Sequence, residues 1–296
     1  MKRLIAVLAC VAIGAGCGGG GASGDLIAFT SDRDGDWEIF EMNADGTEVR
    51  QLTDNDYTDI EPAWAPYKNR QAGSRIAFTS DRAGDGYGEI FSWFIEHPEF
   101  FGSSLWQLTD NDAWDANPAW SPDGDRIAFE SDREIIVIND GGSEVRQLTD
   151  NDAVDGYPAW SPDGKRITFA SDRDGDGELF EMNADGSEVR QLTDNDALDV
   201  CGVWSPDGKH IAFTSDRDGD LEIFVMKADG TQVRQLTDND ALDRCGVWSP
   251  DGKHIAFTSA RFGDEEIFVM KADGTDVHST GQKGSSPSWT WWRTDN

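Results

Sequence analysis

The chain has 296 residues, 38% of them hydrophobic, with 57 acids against 25 bases and a formal net charge of −32. That length and apolar content describe a globular chain with a sizeable core. The acidity excludes nucleic acid as a partner, because a phosphate backbone requires a basic footprint, and it favours cations and basic proteins or peptides.

The first segment reads as a targeting signal, outside the fold. Lys2 and Arg3 precede an apolar run from Leu4 to Ile13, and Gly14-Ala15-Gly16 lead directly into Cys17. This is the layout of a secretory signal peptide, residues 1–17. A cysteine placed straight after the small residues makes Cys17 the candidate for lipidation; ordinary secretion is the alternative. Residues 18–24, rich in glycine, read as a flexible tether. No later apolar stretch reaches the roughly 20 residues of a membrane span, so a lipid is the only membrane contact expected.

From residue 25 to 292 the sequence repeats. The segment Ile-Ala-Phe-Thr-Ser-Asp-Arg at Ile27 recurs, with changes, at Ile76, Ile127, Ile167, Ile211 and Ile255, in steps of 49, 51, 40, 44 and 44 residues. That period suits four short strands per unit. In one copy, Ala159 to Ser161 predicts strand a and Pro162-Asp163-Gly164 a tight turn. Arg166 to Ala170 predicts strand b, and Asp172 to Asp176 a second turn. Glu178 to Met182 predicts strand c, Asp185-Gly186 a hairpin, and Glu188 to Thr193 strand d. The first copy lacks strand a, and an extra strand a, Pro287-Ser288-Trp289, follows the sixth copy. Pairing that orphan with the first copy closes a ring and removes exposed edges. The expected fold is therefore all-β: a six-bladed β-propeller of four-stranded antiparallel blades, followed by a tail at 293–296. One tryptophan per blade (Trp64, Trp120, Trp160, Trp204, Trp248, Trp289) is expected to pack against the neighbouring blade. Each would bury about 150–250 Å², or about 4–6 kcal/mol at most.

The run Ala159 to Asp176, followed by Glu178 to Gly186, resembles the WD-like repeat of the TolB propeller family, and the resemblance extends over residues 25–292. It implies an envelope protein whose propeller docks other proteins over its mouth. The repeats begin right after the tether, so the N-terminal α/β domain of TolB is not expected. Related propellers accompany peptidase domains, but no G-x-S-x-G elbow follows here.

Connectivity puts the b–c and d–a loops at one end of every blade, and these loops carry most of the repeated acid. Asp59, Asp115, Asp155, Asp199 and Asp243 in the d–a loops are expected around the channel mouth, as partner-binding groups or around a cation. The b–c sequences Asp32, Asp34, Asp36 with Glu38, then Asp172, Asp174, Asp176, then Asp216, Asp218, Asp220, have the alternating hard oxygens of a calcium loop. Calcium is the cofactor this pattern allows; the competing reading is a β-turn in which aspartate bonds its own backbone. Three residues before each blade tryptophan stand Glu61, Asn117, Tyr157, Cys201, Cys245 and Ser286. This position varies while its surroundings repeat, which marks a ligand-facing ring at the mouth; drift at a tolerant site is the alternative. Equivalent positions in a ring point the same way round it, so Cys201 and Cys245 are not expected to bridge. Blade 2 is the most divergent. Its insertions bring Trp93, Phe94, Phe100 and Phe101 to the opposite end, as a contact patch or as a local minicore.

The function expected is a non-enzymatic, monomeric interaction module of the bacterial envelope, docking a basic protein, peptide or cation. The alternatives are a propeller enzyme acting on glycans or lactones and a calcium-stabilised scaffold. No catalytic residue is assigned.

Overall fold

The computed structural model describes residues 26–66, 74–84, 86–95 and 105–290; the signal, Cys17, the tether, Phe100, Phe101 and the tail lie outside them. Six sheets of four antiparallel strands stand in a ring. Blade 4 sets the pattern: strand a at Asp155–Trp160, b at Arg166–Ser171, c at Glu178–Asn183 and d at Arg190–Gln191. Strand a is longer than the sequence suggests and strand d shorter. The length gained in a comes from a bulge: the a–b register shifts between Gly156 and Ala159, which leaves Tyr157 at φ 53°. Strand d shrinks because it is the outermost strand, with exposed Val189 at its entry and only two residues paired to c.

Ring closure follows the expected route. Ser285–Trp289 pairs antiparallel with Leu26–Ser31, Ile27 opposite Trp289, so blade 1 is built from both ends of the described chain. The core lies between blades. Six clusters each join the b and c strands of one blade to the alanine of its neighbour's strand b or a, with the blade tryptophan at the seam. Four of these tryptophans donate their indole N–H to a carbonyl on the preceding blade's strand a, such as Trp160 to Ala119 at 3.2 Å. The c–d hairpins grip the same seam. Gly186 sits at φ +84°, and a Cβ there would lie 2.9 Å from the Leu148 carbonyl oxygen, so both backbone and neighbour require glycine.

Candidate functional site

The bulge in strand a builds the channel wall. Glu61, Asn117, Tyr157, Cys201, Cys245 and Ser286 all adopt φ of 52–56° and all line one central cavity of about 280 Å³. Left-handed backbone at six non-glycine residues is costly, and at five of them the bulge N–H finds an acceptor on the blade before it. Thr30 Oγ1 accepts from Glu61 N at 3.1 Å, Thr214 from Cys245 at 2.8 Å and Thr258 from Ser286 at 3.2 Å. Blade 3 departs from this arrangement: Glu61 Oε2 accepts from Asn117 N at 2.8 Å and from Thr79 Oγ1 at 2.9 Å.

This departure concentrates charge on one side of the mouth. Glu130 replaces the strand-b threonine and its carboxylate accepts from Asn117 Nδ2 at 3.4 Å. Burial pushes the carboxyls of Glu61 and Glu130 up, and Glu61 adds repulsion at Glu130. Burial raises the Tyr157 hydroxyl as well, reinforced by Glu130 and Glu61 and opposed by Arg244. Arg244 lines the same cavity and pairs with Glu265 at 2.6 Å. The mouth is thus an asymmetric polar cup lined by one acid, an amide, a phenol and an ion-paired arginine, with Glu130 held against the amide. Glu130 had no signal of its own in the sequence, although its place in the repeat, where threonine or alanine otherwise stands, marks it.

Cys201 and Cys245 are joined in a disulfide, with Cα atoms 5.2 Å apart, against expectation. In a six-membered ring, neighbouring equivalents are separated by the ring's own radius. At the inner wall that distance falls within disulfide reach, and the bulge turns the side chains toward each other.

The d–a aspartates also differ from expectation. Asp59, Asp115, Asp155, Asp199 and Asp243 are fully buried, and in blades 2, 4, 5 and 6 an arginine covers the carboxylate, so those four cannot touch a partner directly. They form a latch between blades. Glu178 on strand c accepts from Asn195 N at 2.5 Å, and Asn195 Nδ2 donates to Asp199 at 2.8 Å. Arg217 from the next b–c loop donates to both oxygens of Asp199 at 3.0 and 2.7 Å. Glu38–Asn55–Asp59–Arg82 and Glu222–Asn239–Asp243–Arg261 repeat it. Buried carboxylates need such partners.

The b–c loops close as turns. Asp32 O accepts from Gly35 N at 3.1 Å, with Gly35 at φ +121°. Asp172 and Asp216 accept from the backbone N–H of Val154 and Leu198 at 2.7 and 2.8 Å. Asp34, Asp174 and Asp218 accept from Gln51, Gln191 and Gln235. Burial and then Asp218, Asp240, Asp243 and Asp238 raise the carboxyl of Asp220. Asp36 and Asp176 follow the turns, and Glu38 belongs to the latch. Among the described residues, no group of three or more His, Cys, Asp or Glu side chains is arranged to hold a metal ion. Around these loops the rim is exposed acid interleaved with exposed apolar side chains: Trp37, Trp114, Val154, Leu198, Leu242 and Phe262.

At the opposite end, Phe94 stacks edge-on against Trp106 at 5.3 Å and Arg75 lies 4.8 Å over Phe94, while Trp93 packs against the blade 1–2 core. These described residues form one aromatic cluster that Trp106, exposed, leaves open to solvent.

The TolB beta propeller domain family matches residues 133–203 and 198–295. The chain belongs to that family. The crystal structure of TolB from Acinetobacter baumannii superposes with a TM-score of 0.76 at 21% identity, covering 90% of this chain and 66% of that one. A chain of the nidogen/laminin complex gives 0.69 at 12% identity over 90% and 98%. Oligogalacturonate lyase from Vibrio parahaemolyticus gives 0.55 at 14% over 85% and 73%. At these identities the likeness is one of fold. An uncharacterized protein of Agrobacterium fabrum is 30% identical over 120 residues, 36% of each chain, so this TolB-family propeller matches about a third of that relative's length.

Proposed function

We propose that this propeller is a non-enzymatic docking module of the bacterial envelope, held by a lipid on Cys17, that receives a basic protein or peptide over the b–c and d–a face. The observation that carries this reading is the layering of charge on that face. Asp59, Asp155, Asp199 and Asp243 are neutralised below the surface, while Asp112, Asp152, Asp196 and Asp240 stay exposed around a cup lined by Glu61 with Glu130 close behind. Exposed apolar rim residues between them supply the desolvated contacts that a charged rim alone lacks. Capture of partners from envelope extracts tests the reading. Binding should be strong at low salt, fall at high salt, and drop when Asp112, Asp152 and Asp196 are changed together to Asn. Capture indifferent to both would refute it.

Turnover of glycans or lactones is the competing use of the same cup, since two carboxyls raised by burial beside a tyrosine are groups an acid–base enzyme would employ. The docking reading expects no activity on panels of either substrate class. Activity lost on Glu61→Gln or Asn117→Ala would favour the enzyme.

A further inference from the structure

Five blades place an arginine of their own in one recurrent site. The guanidinium groups of Arg33, Arg82, Arg173, Arg217 and Arg261 lie 4.6–5.7 Å from the centroids of two adjacent phenylalanine rings. In each, Nε donates to the serine that ends strand b, at 2.8–3.0 Å. In blades 2, 4, 5 and 6, Nη2 also pairs with the buried aspartate that opens strand a.

Blade 3 keeps the acceptors of this site but directs its arginine elsewhere. Its b–c turn is cut to Asp132-Arg133, at φ 47° and 71°. Arg133 is turned outward, and its Nη2 donates to the Asp152 carbonyl at 3.4 Å. Phe129 remains as one ring of the floor, and Ile136, its partner across strands b and c, stands where the other blades have the second phenylalanine. Asp115 is fully buried; Oδ2 accepts from Asn111 at 2.7 Å, and Oδ1 has no hydrogen-bond partner. Burial raises its carboxyl; side-chain hydrogen bonds with Ser131, Thr109 and Asn111 oppose that, and no described cation does. The edge of the site is less covered than in its counterparts, while Asp115 and Phe129 beneath it are buried, so a guanidinium enters only as the short b–c turn moves aside. Ser131 is half-buried, whereas Ser31, Ser80, Ser171, Ser215 and Ser259 are at most 1% exposed; Ile136 is half-buried where the phenylalanines are buried.

We propose that the blade-3 site accepts a guanidinium group from outside the chain, the side chain of an arginine on a docking partner. The inference rests on the docking reading above and names its point of contact, since the site opens on the same acidic face. Arginine fits better than lysine. A planar guanidinium can lie over Phe129 while donating in two directions, to Ser131 Oγ and Asp115 Oδ1, as the chain's own arginines do. A lysine ammonium offers no flat face and stays more strongly hydrated.

N-acetyl-argininamide and N-acetyl-lysinamide, titrated into the folded chain and followed by NMR, test the site. The arginine derivative should bind saturably and at least about tenfold more tightly than the lysine derivative. Asp115→Asn should remove that preference. A second variant carries the blade-4 loop, residues 172–177, in place of Asp132-Arg133, which restores an arginine in cis. It should fold and no longer bind the free arginine derivative. No saturable arginine binding, or equal binding by the wild type and the loop variant, overturns the proposal. A lysine-only basic peptide still captured in a salt-dependent way alongside that result would leave the docking face standing and remove only this site.

Discussion

At the scale of the residue, the latch decides what the repeated aspartates do. Asp155 and Arg173 are joined at 2.9 Å with the carboxylate fully buried and the arginine partly covered. Removing one charge leaves the other with reduced solvation, so Asp155→Asn should cost about 2–4 kcal/mol, read by chemical denaturation. Loss below about 0.5 kcal/mol would mean that the pair is screened as a surface pair is. The acid at the other end of the latch adds a pH dependence. Burial first, and then the neighbouring aspartate, raise the carboxyls of Glu38, Glu178 and Glu222 from 4.5 to about 7. A folded-state pKa above the unfolded one means that the native chain holds more protons in that window. Their contribution to stability is therefore full below about 4.5 and is lost as pH climbs to about 7. The melting temperature should be higher near about pH 5.5 than near about pH 8. Glu178→Gln should flatten this slope, and a slope unchanged in that variant would assign it to the surface acids instead. None of this was legible from the aspartates alone. Asp155 and its arginine are 18 residues apart in sequence, and only strand pairing brings them together.

At the scale of the element, the strand that closes the ring and the tryptophan it carries were readable, because a repeat missing its first strand and an orphan copy of that strand complement each other. The energetics follow from the same seam. Trp160 is buried between blades 3 and 4 and bonded to Ala119, so Trp160→Ala should cost about 3–5 kcal/mol. Trp289→Ala attacks the closing strand itself; its effect should be at least as large, because the strand pairs few residues with blade 1 and depends on that side chain. A smaller effect at Trp289 than at Trp160 would mean that the ring is held shut by other contacts. The disulfide between blades 5 and 6 was misjudged because the expectation treated equivalent positions as far apart, which holds at the outer strands and fails at the channel wall. It links residues 44 apart in sequence, and reduction, or Cys201→Ser with Cys245→Ser, should lower stability by about 2–4 kcal/mol. The variable ring was legible because repetition turns a single sequence into six parallel observations of one site. Glu130 escaped because its role depends on strand b facing the bulge of the next blade.

At the scale of the whole molecule, the net charge of −32 acts on two equilibria with opposite sign. The folded chain crowds most of its repeated acids on one face, so self-repulsion opposes folding, and added salt screens it. Docking of a basic partner uses the same field as attraction, and the same salt weakens it. Moving from about 0.05 M to about 0.5 M sodium chloride at neutral pH shortens the screening length from roughly 14 Å to roughly 4 Å. The melting temperature should rise by a few degrees over that range while captured partner is released. The two readings together exclude the trivial explanation that salt releases partner by unfolding the propeller. A melting temperature that falls with salt would mean that the latch pairs, rather than rim repulsion, dominate the molecule's electrostatics, and the acidic face would then have to be regarded as structural throughout.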